Sequence, residues 1–136
     1  MTTVTAARTF SASAERLWAL MGDFYTIDTW MVGVAAVSKV AENTRRVSLA
    51  GGAGELLEEL LEERQGFQRY RFTDPGPIPV ANYVAELTLD TVSPDESRLT
   101  WTAQFDPAGV PEEVARGAVE SNFSNSLQAL DDLIHA

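Results

Sequence analysis

The side chains able to do acid–base work are concentrated in one stretch, GELLEELLEERQGF (54–67), which sets five glutamates among its leucines. A glutamate withdrawn from water can move protons, whereas one left in water is a surface charge. Other chemistry is sparse. The single histidine, His135, is the penultimate residue, where a terminal turn frays, so it makes a poor catalytic base. The chain has no cysteine, which removes disulfides, thiolate metal sites and cysteine nucleophiles. Transition-metal ligation is therefore poorly supported, and the scattered carboxylates lack calcium-loop spacing. A Ser-His-Asp triad has no positioned base. The glycines of GGAGE (51–55) are turn residues, because no Lys-Ser/Thr follows them to complete a phosphate cradle.

Whether those glutamates line a cavity or face water depends on the element that carries them. As a helix, Leu56, Leu57, Leu60 and Leu61 would share one face and the glutamates the other. As a strand, each face mixes the two types: Leu56, Glu58, Leu60 and Glu62 on one, Leu57, Glu59, Leu61 and Glu63 on the other. The flanks decide for the strand. Gly51, Gly52 and Gly54 precede the segment as a turn, Gln65-Gly66 follows it as another, and FQRYRFTD (67–74) then alternates like the second arm of a hairpin. A helix would have to interrupt an antiparallel meander and restart it at once, and tertiary context overrides a local period this short.

The remaining elements follow from the same reading. VTAARTF (4–10) is strand-like, and Ser11 or Ser13 can cap a helix through ERLWALMG that buries Leu17, Trp18, Leu20 and Met21. DFYTIDTW (23–30) reads as a short second helix or irregular turn, with Asp23 as its cap. VGVAAVSKVAEN (32–43) and RRVSLA (45–50) are strands around an Asn43-Thr44 turn. DPGPIPV (74–80) is a rigid loop, and ANYVAELTLDTV (81–92) and SRLTWTAQFD (97–106) are two more strands. Pro111 opens a last helix in which Val119, Phe123, Leu127, Leu130 and Ile134 recur on one face.

A chain of 136 residues with 45% hydrophobic residues has the size and composition of one globular domain. The first ten residues lack the basic and apolar regions of a signal peptide, and no apolar run is long enough to span a bilayer, so cytoplasmic residence is the default. The net charge of −10, with one lysine against nine arginines, argues against nucleic acid and anionic membranes as partners. The nearest basic clusters, Arg45–Arg46 and Arg69/Arg71, have two residues each.

Four motifs in this order resemble the START-like (SRPBCC) superfamily, most closely its polyketide cyclase/dehydrase-like branch. RLWALMGDFYTIDTW resembles the superfamily's "VW…(G)DF…W" signature through Trp18, Gly22, Asp23, Phe24 and Trp30. LLEEL resembles its "…ERL" strand, with Glu58 and Leu60 at the Glu and Leu positions. PIPVANYVAELTL resembles "LPV..Y…L.V" through Pro79, Val80 and Tyr83, and SRLTWTAQFDP resembles "S.V.W…F.P" through Trp101, Phe105 and Pro107. The first signature usually carries a proline soon after its tryptophan; here MVGV follows Trp30.

The resemblance implies an α+β helix-grip fold over residues 1–136, a curved antiparallel sheet wrapped around the C-terminal helix with a cavity between them. It implies a hydrophobic, aromatic or polyketide-like small molecule as the partner, cyclised or dehydrated without a cofactor, or carried or sensed without change. A third reading is an interaction module whose cavity side chains have filled. The chain would be a monomer or homodimer, with no insertion into membranes. The match sets Glu58 in phase with Leu56 and Leu60, toward the cavity, where Arg69 or Arg71 of the next strand could pair with it. Glu58 and Tyr83 are the candidate catalytic pair, against the plainer readings of a structural ion pair and a core aromatic. Tyr83 shares a parity with Ala85, Leu87 and Leu89, and Trp101 with Leu99, Ala103 and Phe105. Tyr70, Trp101, Phe105 and Phe123 are candidate cavity walls, and Phe24, Tyr25 and Trp30 would border the mouth. Asn122 and Ser126 flank the apolar stripe of the last helix and either solvate or point a polar atom inward.

Overall fold

The computed structural model describes residues 1–136. The chain forms β1 (Thr2–Phe10), α1 (Ala14–Met21), a 3-10 turn (Ile27–Thr29), β2 (Val34–Ala41) and β3 (Thr44–Leu49). A second 3-10 turn (Ala50–Gly52) leads to β4 (Glu55–Arg64), then β5 (Phe67–Asp74), β6 (Val80–Ser93), β7 (Glu96–Pro107) and the long α2 (Glu112–Ile134). All seven strands join one antiparallel sheet in the order β1-β7-β6-β5-β4-β3-β2. Consecutive strands from β2 to β7 are neighbours, so tight hairpins make most of the sheet. The exception is the first connection. Between β1 at one edge and β2 at the other, residues 11–33 cross the end of the sheet and close it.

Helix α1 begins where Ser13 Oγ accepts the Arg16 N–H at 3.1 Å. It buries Leu17 and Met21, one turn apart, and leaves Leu20 outside at 38% exposure. The expectation that Leu20 is buried fails because eight residues present only one such face to the sheet, and Leu20 is rotated off it. Gly22 ends the helix against its own last turn. A Cβ there would stand 2.6 Å from the Trp18 indole, so the chain can fold back at this point only without a side chain.

The segment 54–67 contains a strand, as its flanks require. β4 pairs with β3 on one side and β5 on the other. Its inner face carries Leu56 and Glu58, both buried, with Leu60 partly buried against the core. Its outer face carries Leu61, 45% exposed, and an ion-pair ladder. In that ladder Arg71 meets Glu59 at 2.7 Å, and Arg69 meets Glu62 at 3.0 Å and Glu86 at 2.9 Å. Glu42 and Asn43 make the turn before β3, with Asn43 at φ 60°, a left-handed conformation that asparagine tolerates.

Twenty-six buried residues form a continuous core between the sheet's inner face and α2. The helix is tied to the β1 side by Arg8 to Asp131 at 3.0 Å, by Arg116 to the Thr3 carbonyl at 3.0 Å and by Arg16 to the Ile134 carbonyl at 3.1 Å. Val119, Phe123, Leu127, Leu130 and Ile134 face inward as their spacing requires. No helix is long and apolar enough to cross a membrane.

Two glycine substitutions should have opposite effects on stability. Gly22→Ala should cost about 1–3 kcal/mol, because the new methyl group overlaps the Trp18 indole and carbonyl. Gly117→Ala, inside α2 with nothing within 4 Å of the added Cβ, should gain about 0.4–1 kcal/mol. Urea midpoints of the two variants check both signs; equal midpoints would mean that the turn at Gly22 relaxes without cost.

Candidate functional site

A cavity of about 350 Å³ opens between α2 and the inner face of the sheet, lined by 20 residues of which 17 are hydrophobic. It has a mouth and a floor. Val32, Gly33, Ala50, Ala53 and Ala118 are exposed and form the rim, whereas Glu58, Tyr70, Tyr83 and Trp101 are buried at the far end. The MVGV stretch that departs from the superfamily pattern forms one side of this mouth, because Met31, Val32, Gly33 and Val34 all line the cavity. From α2, Asn122 Nδ2 donates to the Val32 carbonyl and Ser126 Oγ accepts the Val32 N–H, both at 3.1 Å. One residue of the rim is thus clasped by two side chains a helical turn apart.

The floor is built around one ion pair. Arg45 on β3 and Glu58 on β4 are cross-strand partners, with Arg45 Nε donating to Glu58 Oε1 at 2.8 Å. Both are buried, Arg45 completely. The guanidinium also donates to the Phe24 carbonyl, lies 3.8 Å from the Phe24 ring centroid and 5.2 Å from that of Tyr70. Those contacts supply the hydrogen bonds and cation–π attraction that a buried charge needs. Glu58 faces the cavity and Arg45 does not.

The pairing expected for Glu58 is therefore corrected: its partner is Arg45 and neither Arg69 nor Arg71. Irregularities in the β4–β5 pairing place Arg71 opposite Glu59 and Arg69 opposite Glu62, on the outer face, while Glu58 stands opposite Phe72. The alternation Arg45, Val47, Leu49 is the signal for the true partner, since it sets Arg45 on the inward side of β3.

Aromatic rings complete the floor. Trp101 stacks on Phe123 of α2 at 3.9 Å and donates its Nε1–H to the Tyr70 hydroxyl at 3.2 Å. Tyr83 stacks on Phe72 at 4.0 Å and, behind it, on Phe105 at 5.9 Å. Burial raises the Tyr70 hydroxyl well above the ordinary tyrosine range, helped by the negative charge of Glu58. Burial does the same to Tyr83, with Tyr70 and then Glu58 as its further causes. Both phenols therefore keep their protons at neutral pH and can donate hydrogen bonds without acting as bases.

Of the residues singled out from the sequence, Glu58, Tyr70, Tyr83, Trp101, Asn122 and Phe123 converge on this cavity. Five do not line it. Phe24 and Trp30, expected at the mouth, are buried: Phe24 lies under the Arg45 guanidinium and Trp30 is tilted against Trp101 at 5.6 Å. The 3-10 turn between them brings Ile27 and Met31 to the cavity instead. Trp30 Nε1 is the one buried side-chain polar atom without a hydrogen-bond partner. Tyr25 packs edge-on against Phe24 at 5.3 Å, with Lys39 over its ring at 5.2 Å, away from the cavity. Phe105 is screened by Tyr83, and Ser126 is occupied by Val32. Asp23 caps the turn after α1, accepting the Tyr25 N–H at 2.8 Å. Leu56 reaches the wall as its phase with Glu58 requires, whereas the alanines of the rim and Ile78 carry no sequence signal of their own, because such residues read as turn or ordinary core. No group of three or more His, Asp or Glu side chains is placed to hold a metal ion.

The two raised phenols bear on alkaline stability. A tyrosine whose folded pKa lies above its unfolded value stabilises the fold until the unfolded chain begins to lose the proton. Stability should hold up to about pH 10 and then fall by about 1.4 kcal/mol per pH unit for each tyrosine. Urea midpoints followed from neutral into alkaline solution test this. Tyr70→Phe or Tyr83→Phe should each halve the alkaline slope, and an unaltered slope in both would show that neither hydroxyl is protected.

The sequence matches, over residues 1–135, the family described as polyketide cyclase / dehydrase and lipid transport. An uncharacterized protein from Bacillus thuringiensis has the same fold with a TM-score of 0.94 at 22% identity, covering 99% of this chain and 100% of the other. A START superfamily protein from Mycobacterium smegmatis gives 0.85 at 14% identity, over 98% and 97% of the two chains. Zhui aromatase/cyclase from Streptomyces sp. R1128 gives 0.74 at 16% identity, over 96% and 89%. At these identities the structures speak for the fold alone. No curated protein sequence matches at a significant level. With that family match over nearly its whole length, and a cavity beneath the helix that its sheet grips, the chain belongs to the polyketide cyclase / dehydrase and lipid transport family and has a hydrophobic-ligand-binding fold, which it shares with the START superfamily protein.

Proposed function

We propose that this protein binds a hydrophobic, aromatic or polyketide-like small molecule in the cavity beneath α2. The observation that carries the reading is the cavity: about 350 Å³ of space walled by 17 hydrophobic residues and opening through a rim of small side chains. Ligand pockets span roughly 300–1,000 Å³, so this one suits a compact ring system. A module whose cavity had been filled by side chains would lack such a space. The aromatic side chains in the lining, Tyr70, Phe72, Tyr83, Trp101 and Phe123, favour a ligand with ring character.

A neutral solvatochromic naphthalene, 6-propionyl-2-dimethylaminonaphthalene, tests the reading directly. It should bind saturably, one per chain, with blue-shifted emission. Ala118→Trp adds a large side chain at the exposed rim and should weaken binding by about tenfold or more without disturbing the core. Binding unaffected by Ala118→Trp would place the probe elsewhere and remove the reading.

A second reading, proton-transfer chemistry on the bound molecule, is favoured by one observation. A carboxylate and a phenol, Glu58 and Tyr83, face the same space. Glu58 would take a proton from a carbon next to a carbonyl, and Tyr83, held protonated by burial, would donate a hydrogen bond to the carbonyl oxygen. If a poly-carbonyl substrate is turned over, Glu58→Gln should lower the rate about 10²–10⁴-fold while the neutral probe still binds. A variant that cyclises or dehydrates as fast as the parent removes Glu58 from the chemistry and leaves a carrier or sensor.

A further inference from the structure

We infer that the floor of the cavity selects uncharged ligands that present a hydroxyl or N–H group to Glu58, and rejects carboxylates of the same size. The inference rests on the reading of the cavity as a ligand site and specifies what that site accepts.

The lining contains one charged residue, Glu58, and no lysine, arginine or histidine. Its counterion is present but out of reach. Arg45 Nε is 2.8 Å from Glu58 Oε1, yet Arg45 is wholly buried and absent from the cavity wall, so the carboxylate stands between the positive charge and the ligand. The guanidinium is further occupied by the Phe24 carbonyl and packed against the Phe24 and Tyr70 rings. A ligand reaching the floor therefore meets an acceptor carrying negative charge.

A hydroxyl or N–H on that ligand gains a charge-assisted hydrogen bond in a site shielded from water. A ligand carboxylate meets the opposite situation. It would give up its hydration, find no cation in the wall and face a second carboxylate. The net charge of −10 on the whole chain adds to that repulsion. Position along the cavity matters as well. The rim of Val32, Gly33, Ala50, Ala53 and Ala118 is apolar apart from the neighbouring Asn122, whose Nδ2 is taken by the Val32 carbonyl, and Glu58, Tyr70 and Tyr83 lie at the buried end. The ligand thus enters with its hydrogen-bond donor leading and leaves its apolar body toward α2.

Three naphthalenes of one ring size separate the contributions: 2-naphthol carries a donor, 2-methoxynaphthalene an acceptor only, and 2-naphthoate a charge near neutral pH. Calorimetry on the unmodified protein should give 2-naphthol about tenfold or more tighter than 2-methoxynaphthalene, the advantage of a hydrogen bond to a charged acceptor. 2-Naphthoate should be the weakest of the three. Glu58→Gln keeps the shape of the floor, removes its charge and leaves the Arg45 charge uncancelled behind it. The naphthoate-to-naphthol affinity ratio should then rise about tenfold or more. If the neutral solvatochromic probe binds and 2-naphthoate equals or exceeds 2-naphthol in the unmodified protein, the selectivity is wrong and the ligand cavity stands. The selectivity is equally wrong if the ratio does not move in Glu58→Gln. If neither that probe nor any of the three naphthalenes binds, the cavity reading fails and this inference falls with it.

Discussion

The ion pair between Arg45 and Glu58 is the constraint around which the rest of the sheet is arranged. Removing two charges from water is costly, and the pair is tolerable because the guanidinium is closed in by Glu58 at 2.8 Å, by the Phe24 carbonyl and by the faces of Phe24 and Tyr70, while Glu58 keeps one side toward the cavity. Those contacts tie together four separate pieces of chain: β3, β4, β5 and the loop that leaves α1. The β4 sequence places leucine and glutamate on both faces, so it offers the buried Arg45 a carboxylate at the cost of few leucine contacts. A one-residue slip would bring Leu57, Glu59 and Leu61 inward and set Glu59 opposite Arg45, so the pair demands a carboxylate at that place and the pairing with β3 and β5 sets which glutamate fills it.

A cavity persists because the helix grips only part of the sheet. Helix α2 packs on β1 and β7, where Arg8, Arg16 and Arg116 tether it, and its Phe123 reaches only as far as Trp101. Over β3 to β5 the inner face is covered instead by the irregular segment through Ile27 to Val34 and by the turn at Ala50 to Gly52. Neither brings large side chains over the middle of the sheet. Small residues at the rim and rigid stacked rings at the floor leave a space that the surrounding side chains cannot collapse into, since Trp101 and Tyr70 hold each other by a hydrogen bond and Tyr83 is fixed between Phe72 and Phe105.

Much of this is legible in the sequence, and the illegible parts have physical causes. Strand identity for the glutamate-rich segment follows from its flanking turns, and the inward faces of β6 and β7 follow from the alternation through Tyr83 and Trp101. A strand has two neighbours, however, and the alternation within β4 does not say which of them supplies the partner of Glu58. Arg69 and Arg71 point outward by alternation with Tyr70 and Phe72, and the irregularities in the β4–β5 pairing that set Glu58 opposite Phe72, away from both arginines, leave no mark on composition. Asn122 and Ser126 read as ordinary helix polars because the residue they clasp belongs to a loop 90 or more residues away. Phe24 and Trp30 read as mouth because aromatics near a turn resemble a rim; the 3-10 turn rotates them beneath the floor instead.

The floor therefore serves two ends with one set of atoms, and this restricts how it can vary. Exchanging the ion pair for apolar residues of similar volume is the kind of change that protein stability often tolerates. Here it would also erase the one charged group in a wall whose other polar side chains are Asn122 and the ring groups of Tyr70, Tyr83 and Trp101, and with it the acceptor that we propose recognises a ligand by its polar end. Replacing only Glu58 would strand Arg45, and replacing only Arg45 would leave an unpaired carboxylate facing an apolar space. The charge facing the cavity and the neutralisation of Arg45 thus change together at these two positions, whereas the rim, where Ala50, Ala53 and Ala118 contact solvent, can change the size of the opening with little effect on the core.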